Sequence, residues 1–120
     1  MSNSPVGSSN KPEQSEQSIF TKVRLGAPEK VLWENEDYFA IKDIHPLSPT
    51  HLLLIPKVEQ ATLEDLSIAE KGELLAVAEK VAHHFGITEY RLMINVGRPY
   101  QEIFHVHAHI MSETEMKQPG

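Results

Sequence analysis

A chain of 120 residues with 11 basic and 17 acidic side chains has a formal net charge of −6, which argues against broad nucleic-acid binding, since that needs a basic surface. It contains no cysteine, so disulfides, thiolate zinc sites and cysteine nucleophiles are excluded. With 40% hydrophobic and 23% charged residues it reads as one globular domain with a modest core, and no apolar run reaches membrane-spanning length.

In chain order, residues 1–18 are rich in Ser, Asn, Gln, Pro and Glu and hold almost nothing to bury. They are expected to form a disordered tail without the apolar stretch of a signal peptide, and the expected location is cytoplasmic. Ile19-Phe20-Thr21-Lys22-Val23-Arg24-Leu25 spaces its apolar residues at helical intervals, predicting a short helix closed by Gly26 and Pro28. Val31-Leu32-Trp33 and Tyr38-Phe39-Ala40-Ile41, separated by four polar residues, predict a hairpin. Pro46 and Pro49 impose a loop, after which His51-Leu52-Leu53-Leu54-Ile55 is apolar enough for a central strand. A helical turn at 62–66 precedes Ser67-Ile68-Ala69-Glu70, a capping-box spacing that opens a helix running to about Phe85 and stopping at Gly86. Its buried stripe is Leu74, Val77, Ala78, Val81, Ala82 and Phe85. His83 and His84 lie near its C-terminus, where imidazoles suit the helix dipole, and read as surface or structural residues. Residues 90–96 predict a fourth strand, 97–100 a turn and 104–110 a fifth strand, with the polar residues from Ser112 onward loosely attached.

The order β-β-β-α-β-β with short connections predicts an α+β fold: a five-stranded, mostly antiparallel meander sheet with one long helix and a short N-terminal helix. The domain is expected to span 19–112, between an N-terminal tail at 1–18 and a C-terminal tail at 113–120.

The fifth strand carries the chemistry. In an extended strand alternate side chains share a face, so His105, His107 and His109 look one way and Phe104, Val106, Ala108 and Ile110 the other. An affinity tag would be a terminal histidine run without interleaved hydrophobics, and a solvated strand face would more usually carry Lys, Glu or Thr. Two uses of the imidazoles stay open. Same-face neighbours lie about 6.8 Å apart in a strand, so two of the histidines and an outside donor such as His51 can reach one zinc ion, whereas all three cannot. Alternatively, a neutral imidazole is a nucleophile toward phosphorus, provided one ring nitrogen is free and the other donates the hydrogen bond that fixes its tautomer. A row of three fits a phosphoryl or nucleotidyl transfer centre without an obligatory metal.

His-Val-His-Ala-His-Ile resembles the His-φ-His-φ-His-φφ signature of the histidine triad superfamily, where φ is apolar. Gln101-Glu102-Ile103 resembles the stretch before it in that family's nucleotide-binding branch. Asp43-Ile44-His45-Pro46, with Pro49, His51, the apolar run 52–55 and Pro56-Lys57, resembles the branch's second block. The likeness runs from Ile19 to Met111. Tyr100 departs from it, standing where the family usually has Gly. The turn from Asn95 looks about a residue short, and Met111-Ser112-Glu113 replaces a Gly-Gly-Arg-like continuation.

The resemblance implies that His107 attacks the α-phosphorus and forms a nucleotidyl-histidine that water hydrolyses, with the His105 carbonyl holding its other ring nitrogen. It implies that His109 contacts phosphate and leaving group, and that His105 and His51 support the network. Asp43 would bind the ribose hydroxyls, and Asn95 and Gln101 the surroundings of the phosphate, with main-chain N–H groups over 101–103 assisting. Phe20, Ile41 and Ile44 would form the base slot, while Glu102 would place a carboxylate near the phosphate. The implied activity is hydrolysis of nucleoside 5′-phosphoramidates to a nucleoside monophosphate, in the manner of the purine nucleoside phosphoramidase branch, by a homodimer acting on AMP derivatives. It requires no cofactor, no metal, no nucleic acid and no membrane. Alternatives are a dinucleoside polyphosphate hydrolase, a non-catalytic nucleotide-binding or interaction protein, and a metal-binding module. The aprataxin-like DNA branch is disfavoured by the missing cysteines and basic surface.

Overall fold

The computed structural model describes residues 16–118, so most of the expected N-terminal tail lies outside the described residues. Helix α1 (Ile19–Gly26) starts where the Ser18 side chain accepts the Thr21 N–H, and it buries Phe20 and Thr21. The hairpin of β1 (Trp33–Glu34) and β2 (Tyr38–Lys42) closes on Asn35, whose Oδ1 accepts the N–H groups of Asp37 and Tyr38. That is an Asx turn, the local bond that makes Asn a turn residue. Strand β3 (Thr50–Pro56) is buried along its whole length.

Helix α2 (Ile68–His84) carries the capping box, with Ser67 Oγ accepting the Glu70 N–H and Glu70 Oε1 accepting the Ser67 N–H. At its other end Gly86 (φ +75°) donates to the His83 carbonyl and Ile87 to that of Ala82, the paired bonds of a Schellman stop. A Cβ at Gly86 would sit 3.1 Å from the Lys117 side chain. Crowding and the left-handed backbone both call for glycine there.

Strands β4 (Arg91–Met93) and β5 (Ala108–Ser112) complete an antiparallel sheet of order β1-β2-β3-β5-β4. Consecutive strands pair except where α2 carries the chain past the sheet, leaving β5 to insert between β3 and β4. Alternation along the strands then divides the core. Tyr38, Ala40, Leu52, Leu54, Ala108 and Ile110 face α2, whereas Phe39, Ile41, Leu53 and Ile55 pack with Phe20. Each fully buried Leu, Ile or Phe contributes roughly 1.5–3 kcal/mol relative to exposure. Among the described residues no helix is long and apolar enough to cross a membrane.

Several boundaries differ from the sequence expectation, and the fourth strand covers only Arg91–Met93 of the expected 90–96. The histidine segment becomes a strand only at Ala108, because the Val106 N–H donates to the Gln60 carbonyl and the His105 carbonyl accepts from an imidazole. Neither group remains for a strand ladder, and Phe104 is partly exposed rather than on the core face. Residues 113–117 are tied down, with Thr50 Oγ1 donating to the Thr114 carbonyl, Met116 packing on the core and the Lys117 N–H donating to the Phe85 carbonyl. Ser18, placed in the tail by composition, is the cap of α1.

Candidate active site

The histidines gather on the sheet face that carries α1. Register pairs Leu53 with His109 and Met93 with His109, and His51 alternates with Leu52, so His51 and His109 share that face. They border a cleft of about 690 Å³ between α1, the β2–β3 loop and the turn before β5, a size suited to one small ligand. His107, Asp43, Asn95 and Glu102 line it among the polar candidates. Phe20, Ile41, Ile44 and Ile103 line it among the apolar ones. Phe20 and Ile41 are almost fully buried and make its floor, whereas Ile44 is 81% exposed at the rim.

Hydrogen bonds decide the tautomers. His107 Nδ1 lies 2.8 Å from the His105 carbonyl oxygen. A carbonyl only accepts, so Nδ1 carries the proton and Nε2 keeps a free lone pair. The Leu47 N–H donates to His51 Nδ1 at 3.0 Å, which leaves the His51 proton on Nε2. That nitrogen lies 2.9 Å from His109 Nδ1. His109 Nδ1 is therefore an acceptor, and Nε2 is its proton-bearing nitrogen. The rings of His107 and His109 are 5.0 Å apart between centroids, and Phe20 meets His107 edge-on at 4.9 Å.

Burial dominates the electrostatics, because a low-dielectric site disfavours the charged imidazolium. It lowers His107, opposed by the hydrogen bond to the His105 carbonyl and by Asp43. His109 is pushed down to about 4 by burial and by the neighbouring His107 and His51. Burial also lowers His51, against the pull of Asp43, and His105. The site thus presents neutral imidazoles at neutral pH: one with a free lone pair, one with a free N–H.

Two candidates sit differently from expectation. His105 is completely buried and does not line the cleft; its Nε2 donates to the Pro56 carbonyl at 2.6 Å and its Nδ1 meets Ser18 Oγ. Gln101 touches the cleft, but its amide is committed to the backbone: Oε1 accepts the Gly97 N–H, and Nε2 donates to the Ala61 and Ile103 carbonyls. It braces the turn instead of presenting a free donor to a phosphate. Asp43 is also engaged, since Oδ1 accepts the His45 N–H at 2.8 Å and Oδ2 lies 3.4 Å from His51 Nε2.

Residues outside the candidate set also border the cleft, among them Val23, Lys42, His45, Leu47, Met93 and Tyr100. Strand pairing could have flagged Met93 once His109 was placed; the loop residues carry no periodic signal. For a metal, donor atoms of Asp43, His51 and His109 lie within 4.8 Å of one another. A divalent ion there would have to displace the proton shared between the two imidazoles. The trio excludes His105 and His107, so the alternating histidines do not themselves make a ligand set.

A profile of the HIT domain matches residues 24–116. The chain belongs to the HIT family. The purine nucleoside phosphoramidase of Escherichia coli (strain K12) is 36% identical over 103 residues, covering 80% of this chain and 87% of that protein. The adenylylsulfatase HINT1 of Arabidopsis thaliana is 38% identical over 111 residues, covering 85% and 75% respectively. A crystal structure of a HIT family hydrolase from Legionella pneumophila superposes with TM-score 0.72 at 36% identity, covering 86% of this chain and 98% of that one. The HIT fold and the α+β class read from the sequence agree.

Proposed function

We propose that this HIT protein is a nucleotide hydrolase that cleaves nucleoside 5′-phosphoramidates through a nucleotidyl intermediate on His107. The observation that carries this is the 2.8 Å bond from His107 Nδ1–H to the His105 carbonyl, which frees Nε2 beside His109. The names of the E. coli and Arabidopsis relatives support the same class of chemistry.

The Nε2 lone pair attacks the α-phosphorus and the P–N bond breaks. His109, neutral and with its proton on Nε2, donates a hydrogen bond to the departing nitrogen or a phosphoryl oxygen. The nitrogen leaves as the amine after taking one proton from solvent in the open cleft. Water then attacks phosphorus, the P–Nε2 bond breaks, and one proton returns to solvent with the nucleoside monophosphate. The positive charge on nucleotidylated His107 is stabilised by the His105 carbonyl. Phe20 and Ile41 provide an apolar floor for a purine, and Asp43 offers carboxylate oxygens to a vicinal diol. The substrate is an AMP derivative in this reading, and the protein acts as a homodimer that joins two five-stranded sheets, a stoichiometry that sedimentation analysis tests.

The deciding experiment uses adenosine 5′-phosphoramidate labelled at phosphorus, quenched in alkaline denaturant because P–N bonds are acid-labile. The label maps to His107, and His107→Asn abolishes turnover by at least about 10³-fold while retaining AMP binding. Label on another residue, or turnover without His107, refutes the mechanism. Parallel assays with adenylyl sulfate and a diadenosine polyphosphate rank the leaving groups.

A further inference from the structure

The His105 carbonyl that orients His107 is itself held by a polar network that reaches helix α1. The peptide between His105 and Val106 has both ends bound, its N–H to the Gln60 carbonyl at 2.8 Å and its C=O to His107 Nδ1 at 2.8 Å. The His105 ring is fixed on both sides. Nε2–H donates to the Pro56 carbonyl, which forces Nδ1 to accept, and the Ser18 hydroxyl is the donor it meets. Ser18 is held in turn: its N–H reaches the Glu59 carboxylate at 3.1 Å, and its Oγ accepts the Thr21 N–H. Thr21 Oγ1 donates to the same carboxylate. The His105 side chain is fully buried, so a lost donor there is not replaced by water at no cost.

The geometry points to Ser18 as a positioning residue for the His107 nucleophile, acting through His105, with Glu59 clamping Ser18 in place. The Ser18–His105 contact is not a second nucleophile–base pair, because neither residue lines the cleft and the His105 ring is fully buried. Its consequence is a single His105 tautomer, a fixed 105–106 peptide and a single Nδ1–H tautomer of His107. This inference rests on the hydrolase reading for its kinetic arm only.

The test compares Ser18→Ala, Ser18→Thr and Glu59→Ala in the full chain. Turnover of adenosine 5′-phosphoramidate is measured together with imidazole ¹⁵N–¹H correlation spectra, which report tautomers directly. Ser18→Ala lowers kcat on the order of tenfold with KM within about twofold, and His107 passes from one tautomer to a mixture. Ser18→Thr, which keeps a hydroxyl and the helix cap, restores both. Glu59→Ala moves both in the same direction and decides the matter if Ser18→Ala does not fold. Wild-type kcat in the alanine variants overturns the proposal, as does a lowered kcat with His107 still in one tautomer, since helix-cap loss alone would produce that. If the wild type does not hydrolyse the phosphoramidate, the hydrolase reading fails and the spectra alone decide the positioning role.

Discussion

His51 Nε2–H donates to His109 Nδ1 over 2.9 Å, and that bond assigns the His109 proton to Nε2. Without it a neutral His109 would divide its proton between two nitrogens, and only one tautomer serves as a donor to the leaving group. His51→Ala is expected to lower kcat by up to about 100-fold on a phosphoramidate, whose departing nitrogen relies on the His109 hydrogen bond. The loss should be several-fold smaller on an adenylyl carboxylate anhydride, whose leaving group departs as a stable anion. Equal losses on both substrates would show that His51 acts on the nucleophile instead.

The lowered imidazoles give the pH dependence a definite sign. Burial holds the ionisation of His107 below the ordinary imidazole value, so kcat should fall less between pH 7.5 and 6 than a free imidazole, about three-quarters protonated at pH 6, would dictate. Stability, by contrast, is lost on acidification. His109 ionises near 6.5 when unfolded but only at about 4 when folded. Between those values the unfolded chain binds more protons, so stability falls as pH drops from 6.5 toward 4 and is insensitive to this group above 6.5. Urea unfolding at pH 7.5, 6.0 and 5.0 reads the slope. His109→Gln should lessen it over the upper part of the window, before carboxylates begin to titrate, with the other lowered histidines, His51, His105 and His107, supplying the remainder.

The contrast between His107 and Gln101 shows what could be read in advance. The alternation that sets Val106, Ala108 and Ile110 against His107 and His109 is a property of extended backbone, so periodicity alone places them. Helix α2 was legible for the same reason, with Ser67, Glu70 and Gly86 marking its ends. Gln101 and Ser18 were not, because their roles depend on which polar groups approach from residues far away in sequence. Gln101 Nε2 meets the Ala61 carbonyl across 40 residues, and the Ser18 hydroxyl meets His105 across 87. A polar side chain advertises its capacity to bond but not its partner. The insertion of β5 between β3 and β4 was equally hidden, since it depends on where α2 packs.

Gln101 supplies a test of that distinction. Its side chain is 2% exposed and serves three backbone groups. Gln101→Ala leaves them without partners and should cost about 1–3 kcal/mol in urea unfolding. Gln101→Glu restores the acceptor for Gly97 but cannot donate to the Ala61 and Ile103 carbonyls, so it should be no more stable than the alanine variant. Unchanged stability with a raised KM would instead mark Gln101 as a direct ligand contact.

The helix that backs the sheet offers a paired measurement of packing. Leu74 is fully buried between α2 and the sheet, whereas its neighbour Leu75 is 48% exposed. Leu74→Ala removes the same atoms as Leu75→Ala but opens a cavity beneath β3 and β5, so it should destabilise by about 2–5 kcal/mol. The exposed site should change by less than about 1 kcal/mol. Domains of this size are stable by only about 5–15 kcal/mol, so the first variant removes a sizeable share of the total. Because His51 and His109 sit on those two strands, its turnover should decline at temperatures where Leu75→Ala keeps full activity. Equal stabilities for the two variants would mean that α2 is not anchored through Leu74.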